Sequence, residues 1–223
     1  MAIKIDFEKA YDKLEWSFIR EMLIRINLSQ NLLDLIMSCV SSISTSILFN
    51  GGSLDPFLPF RGIRQGDPLS PYLFILCMDY LGQLIEKKCS LKQWNPVRAS
   101  KGGLAFSYLM FADDLVLFAK TNQKNCATIR EVFDSFCSRS GQIVSEANSR
   151  VYFSPNVDKE TWVLLNETLG FHPTASLGKY LGIPIKHPGS SSQDFDYVLD
   201  RVKSKLAGWK SMLLSMAGWE VLI

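Results

Sequence analysis

Residues 107–120, SYLMFADDLVLFAK, constrain the fold more than any other stretch of the chain. Two apolar runs of strand-forming residues meet at Asp113 and Asp114, so the segment reads as a β-hairpin with two carboxylates at its tip. Both arms, LMFA and LVLFA, are apolar on both faces. That pattern predicts a hairpin central in a sheet, its tip opening onto a groove. Adjacent carboxylates repel, and one is driven toward neutrality unless a cation lies close by. A solvated Asp-Asp turn is the plainer reading of such a pair in isolation, and the apolar flanks argue against it here.

A third acid, Asp6, ends the apolar segment MAIKIDF and is followed by EKAYD. Three acids delivered by two neighbouring strand ends are a ligand set for hard divalent cations, which take oxygen donors. Two such ions roughly 3.5–4 Å apart activate an attacking hydroxyl and stabilise a leaving oxygen. The reading requires the Asp6 side chain to reach the hairpin tip on the same side of the sheet.

Around these acids the periodicity sets out further elements. LEWSFIREMLIRI places Leu14, Phe18, Leu23 and Ile26 on roughly one helical face, and NLLDLIMSCV predicts another helix. STSILFNGG and PFLPFRGIRQGD read as strand, Asn-Gly turn and strand. Ser70 followed by Pro71 marks a helix start, with serine as the cap. The helix after it, PYLFILCMDYLGQLIEKK, is apolar nearly all round in its first half, which predicts deep burial. Ile129, Val132, Phe133 and Phe136 share a helical spacing closed by Gly141. RVYFS reads as a strand, KETWVLLNETLG as a helix ended by Gly170, and KYLGIPI as a hairpin. HPGSSSQ is the best linker candidate, and a helical tail follows it. The order predicts an α+β fold, an antiparallel sheet packed against helices.

Composition narrows the class without naming it. A net charge of +2 neither demands nor excludes nucleic acid. The five cysteines are dispersed with no CxxC pair, and two histidines make a Cys/His zinc site a poor expectation. No apolar run approaches the roughly 20 residues needed to cross a bilayer, and charges interrupt the N-terminus at once. These features lead us to expect reduced thiols, no membrane partner and an intracellular location, in nucleus or cytoplasm.

Five segments now carry a resemblance. KIDFEKAYDKLEW, RGIRQGDPLSPYLFIL, FADD, SGQIVSEANSRVYFS and KYLGIPI stand in the order and spacing of the palm of reverse transcriptases, closest to the non-LTR, LINE-type retrotransposons of plants. The resemblance implies a polymerase palm over residues 1–187, with a partial fingers/palm insertion near 43–66, and a linker and start of thumb helices over 188–223. It implies RNA-templated DNA synthesis with two Mg²⁺ ions, or Mn²⁺ in their place, on an RNA template, a DNA primer and a dNTP. Asp6, the backbone carbonyl of Phe7, Asp113 and Asp114 would hold metal, and the three aspartates would be catalytic. Tyr11 would lie under the incoming sugar and exclude a 2′-hydroxyl; otherwise it is a core tyrosine. Gln65 and Gly66 would meet the nucleotide and template, the alternative being turn chemistry. Tyr180, Leu181 and Gly182 would form the primer grip. Arg201, Lys203, Lys205 and Lys210 form a basic run that could follow a phosphate backbone, or could be a solvated helix face.

The sequence also departs from the family. It opens at the first metal-binding strand, without preceding fingers, and stops as the thumb should begin. Asn148 stands where the family usually has a lysine thought to protonate pyrophosphate, and Trp219 where arginine is usual. A degenerate fragment with little activity alone is therefore expected. The alternatives are a non-catalytic remnant that binds nucleic acid or protein, and a related palm such as a group II intron maturase or a viral RNA polymerase.

Overall fold

The computed structural model describes residues 1–98, 100–185, 196, 199, 200, 203 and 204. In chain order the elements are β1 (Ala2–Ile5), α1 (Trp16–Arg25), α2 (Gln30–Ser41), β2 (Leu48–Phe49), β3 (Gly52–Ser53) and α3 (Ser70–Ser90). Next come β4 (Val97–Arg98), β5 (Ala105–Phe106), β6 (Tyr108–Phe111), β7 (Asp114–Phe118), α4 (Gln123–Ser140) and β8 (Arg150–Tyr152). The series ends with α5 (Lys159–Leu169), β9 (His172–Pro173), β10 (Lys179–Tyr180) and β11 (Ile183–Pro184). The chain divides into two units, Met1–Leu177 and Gly178–Ile223.

In the first unit a five-stranded sheet runs in the order β6-β7-β1-β8-β9, antiparallel except for the last pair. Alternation along β1 buries Ile3 and Ile5, with Phe7 beyond them, and leaves Lys4 half-buried and Asp6 exposed. Cross-strand partners share a face, so Ile3 pairs with buried Leu117 and Ile5 with buried Leu115. Helices α1, α3 and α4 contribute to the same hydrophobic core, through Phe18, Phe74, Leu81 and Phe136 among others. Phe136 lies edge-on to both Phe7 and Phe18. The α+β class expected from the sequence, an antiparallel-rich sheet packed against helices, is the class observed.

Five local expectations need correction. The acidic hairpin is not central: β6 is an edge strand, so Leu109 and Phe111 on it are exposed. Ser70 does not cap α3 but is its first residue; the Asp67 carboxylate accepts the Leu69 N–H (2.8 Å) just ahead of it. The first half of α3 is not buried all round, because Tyr72 and Ile75 face outward. Ile26 falls at the C-cap of α1 and is exposed, while Ile19 and Met22 join Phe18 and Leu23 in the core. The Asn-Gly hairpin exists, but it pairs only Leu48–Phe49 with Gly52–Ser53, and PFLPF touches it through a single Thr45–Phe57 bridge.

The remaining helix ends follow their local chemistry. Asn122 caps α4 by accepting the Asn125 N–H, and Asp158 caps α5 by accepting the Thr161 N–H. Helix α4 stops at Gly141 with φ 76°, where a Cβ would fall 2.6 Å from the Lys13 carbonyl oxygen. In the second unit β10 and β11 form a hairpin whose turn residues, Leu181 and Gly182, both have positive φ. Positions 196, 199, 200, 203 and 204 are helical.

Candidate active site

The register of the sheet decides where the acids lie. Strand β1 meets β7 in a register that ends with Ile5 opposite Leu115; Asp6 follows the end of β1 and Asp114 is the residue just before Leu115, so the next step of that register would set the two opposite one another. Directly opposed side chains on one face have Cβ atoms about 4.5–5.5 Å apart. Asp114 is the first residue of β7, and the hairpin turn itself is Ala112–Asp113, with Ala112 at φ 50°. Asp6 and Asp113 are exposed and Asp114 is half-buried. Among the described residues none of the three makes an ion pair.

An open cleft of about 450 Å³ lies against this strand end, lined by Phe7, Lys9, Ala10, Tyr11, Gln65, Gly66, Pro71 and Asp113. It gathers four elements of the sequence reading: the segment after β1, the loop before α3, the first turn of α3 and the hairpin tip. The Tyr11 ring is stacked on Phe74, centroids 4.6 Å apart and 11° from parallel. Burial, and then the negative charge of Asp113, hold the Tyr11 hydroxyl above its ordinary pKa, so it remains a neutral hydrogen-bond donor. Gln65 donates from Nε2 to Asp12 Oδ1 at 3.4 Å. Gly66 has φ 86°, and a Cβ there would meet nothing within 4 Å, so its backbone faces open space.

Phe7 lines the same cleft. Its side chain is buried against Phe133 and Phe136. The bridge from Phe7 to Val144 is closed by hydrogen bonds from Ser145 N–H to Asp6 O and from Glu8 N–H to Ile143 O, so the Phe7 carbonyl takes no part in it. Asn148 donates from Nδ2 to Asp6 Oδ2 at 3.1 Å.

These donors fit a hard divalent cation in kind: carboxylates on two adjacent strands, a third on the turn, and a carbonyl outside the ladder. They are not closed into a cage; among the described residues no three His, Cys, Asp or Glu side chains are gathered closely enough to hold a metal ion.

The other expected site residues are distributed more widely. Tyr180, Leu181 and Gly182 occupy the β10–β11 hairpin in the second unit. Lys203 is helical and exposed, while Arg201, Lys205, Lys210 and Trp219 lie outside the described residues. Sequence reasoning missed Lys9 and Pro71 as cleft residues. Lys9 is the one cationic side chain lining the cleft among the described residues, and it adopts φ 47°. Its place inside the FEKAYD run was the signal available.

The reverse transcriptase (RNA-dependent DNA polymerase) family model matches residues 1–185. The chain is 35% identical over 117 residues to the retrovirus-related Pol polyprotein from type-2 retrotransposable element R2DM of Drosophila melanogaster, covering 52% of this chain and 10% of that protein. It is 30% identical over 135 residues to a retrovirus-related Pol polyprotein from type-1 retrotransposable element R2 of Popillia japonica, covering 60% and 18% respectively. The chain thus spans less than a fifth of the length of either relative. Among solved structures, telomerase from Candida albicans in complex with a fragment of telomeric RNA aligns over 71% of this chain and 27% of that one, at a TM-score of 0.53 and 15% identity. That likeness is one of fold, a polymerase palm. The chain belongs to the reverse transcriptase (RNA-dependent DNA polymerase) family.

Proposed function

We propose that the chain is the catalytic palm of an RNA-directed DNA polymerase that extends a DNA primer 3′-hydroxyl with dNTPs on an RNA template. The observation that carries this reading is the cleft shared by Asp113, Tyr11, Gln65 and Gly66, with the β1–β7 register ending at Ile5–Leu115, one residue short of both Asp6 and Asp114. Asp6, Asp113, Asp114 and the Phe7 carbonyl would hold two Mg²⁺ ions, with Mn²⁺ as a substitute. Such ions, when bound, lower the pKa of an attacking hydroxyl and neutralise charge on the leaving phosphate.

The protein's own groups supply the positioning. Tyr11, held flat by its stack on Phe74, offers a rigid floor for a sugar and leaves little room for a 2′-hydroxyl. Gln65, tethered to Asp12, presents donor and acceptor at the cleft, and Gly66 lets a template strand approach the backbone. The Tyr180–Gly182 hairpin would serve as the primer grip, and Arg201, Lys203, Lys205 and Lys210 would follow a phosphate backbone. In this reading residues 1–187 are the palm, 43–66 a fingers/palm insertion and 188–223 a linker and the start of the thumb, acting in nucleus or cytoplasm.

Primer extension on an RNA template tests the proposal. The expected result is weak, Mg²⁺-dependent DNA synthesis that Asp113→Asn abolishes. Salt-sensitive RNA binding without extension, unchanged by Asp113→Asn, would identify a non-catalytic binding domain and overturn it. A preference for ribonucleotides would point instead to an RNA polymerase.

A further inference from the structure

The loop between α4 and β8 holds Asp6 by its N–H, its carbonyl and one of its two carboxylate oxygens. Ser145 N–H donates to the Asp6 carbonyl at 2.8 Å. The Asp6 N–H donates to Ser149 Oγ at 3.1 Å, and Asn148 Nδ2 donates to the Asp6 carboxylate at Oδ2. The loop is itself held: the Asn148 and Ser149 N–H groups both donate to the Ser145 carbonyl, at 3.2 and 2.8 Å. Ser145 and Ser149 are buried, and the next residue, Arg150, pairs with Lys4 of β1. An exposed asparagine is most often a solvated surface group. Here its neighbours on both sides are anchored to the same aspartate, so its position follows from the backbone.

We infer that Asn148 is a positioning residue for Asp6, and that its neutral amide tunes how strongly the site takes a divalent cation. The inference rests on the preceding reading of Asp6 as a metal ligand. A carboxylate rotates easily about its last torsion, and a donor on Oδ2 restricts that rotation while leaving Oδ1 to a cation. The amide does this without adding charge. A lysine at the same place would set a positive charge near the oxygen that a cation must share, and a unit charge a few ångströms away competes strongly in a partly desolvated site. An aspartate there would add negative charge and a fourth carboxylate. The departure from the family's usual lysine is, on this argument, a change in the electrostatics of the cation site as well as the loss of an acid.

Mn²⁺ binding to the full chain, followed by the electron paramagnetic resonance signal of the free ion, tests this without nucleotide or turnover. Relative to wild type, Asn148→Asp should bind several-fold tighter, Asn148→Ala several-fold weaker and Asn148→Lys at least tenfold weaker. Thermal melting of each variant checks that the exposed substitution leaves the fold intact. A purely structural asparagine would alter melting without producing that order of affinities. If Asp6→Asn weakens Mn²⁺ binding while all three Asn148 variants stay within twofold of wild type, the positioning role is wrong and the polymerase reading survives. If wild type binds no Mn²⁺, or binds it no better than Asp6→Asn does, the metal assignment of Asp6 fails, and the inference fails with it.

Discussion

Lys9 shows how much a single residue can add to this site. It holds φ 47°, a left-handed conformation that costs a non-glycine residue roughly 1–3 kcal/mol and recurs at ligand clamps. The carbonyl of Lys9 receives the N–H groups of Asp12 and Lys13, so a tight turn maintains the conformation. Lys9 lines the same cleft as Asp113 and as Pro71, which lies in the first turn of α3, where a helix's positive dipole end also favours anions. A nucleoside triphosphate needs such positive charge for positioning. Lys9→Ala should therefore raise the KM for dNTP about five- to tenfold in steady-state primer extension, with a smaller change in kcat. An unchanged KM would assign Lys9 to solvent.

At the scale of elements, the loop before α3 is stitched to the segment after β1. Gly62 N–H donates to Leu14 O, Ile63 N–H to Tyr11 O, and Trp16 Nε1–H to Gly62 O at 2.7 Å. These bonds set Gln65 and Gly66 beside Tyr11. Gly62 has φ 86°, and a Cβ there would stand 2.7 Å from the Asp12 carbonyl oxygen, a backbone atom that cannot swing aside. Gly62→Ala should cost about 2–4 kcal/mol in urea unfolding, combining an unfavourable φ with a backbone clash. Gly66→Ala, at the same φ but facing open space, should cost only the conformational share of about 1 kcal/mol. Equal losses at the two sites would show that the stitching does not hold the loop.

For the whole molecule, the thiols report on the core. All five cysteines are free, with Cys39 exposed and Cys77 and Cys126 buried. Burial pushes the Cys77 thiol up to about 12, and Cys126 and Cys137 to about 11. Since the thiolate is the nucleophile, iodoacetamide at pH 8 should label Cys39 quickly and leave those three until the chain unfolds, as read by mass spectrometry. The sign of the pH effect follows from the raised values. An unfolded chain releases these protons near pH 9 while the folded one keeps them, so stability should fall as pH rises from about 9 toward 11–12. Rapid labelling of Cys77 in the native protein would mean that the core around α3 opens readily.

Much of this architecture was legible because it is local. Alternation of Ile3, Ile5 and Phe7, the 3.6-residue spacing of Ile129, Val132, Phe133 and Phe136, and the stop at Gly141 each follow from neighbours a few residues apart. The five motifs in order were enough to name the family, and Asp6, Asp113 and Asp114 stood out as acids ending apolar runs. What failed needed knowledge of partners distant in the chain. An apolar strand reads alike at the centre or the edge of a sheet, so the edge position of β6 was hidden. So was the start of α3, where Ser70 has the chemistry of a cap but is the first helical residue, Leu69 takes the cap position without a side-chain bond, and Asp67 accepts the Leu69 N–H.

The sequence by itself determined the class of fold, the family and the identity of the acids, because periodicity and motif order survive in one dimension. Only the tertiary structure decided that the strand ending before Asp6 pairs with the strand that opens at Asp114, that Lys9 and Asp113 share a cleft, and that Asn148 reaches Asp6 across 142 positions of chain. Those facts depend on strand register and loop closure, which arise when a sheet and its helices bury a common core.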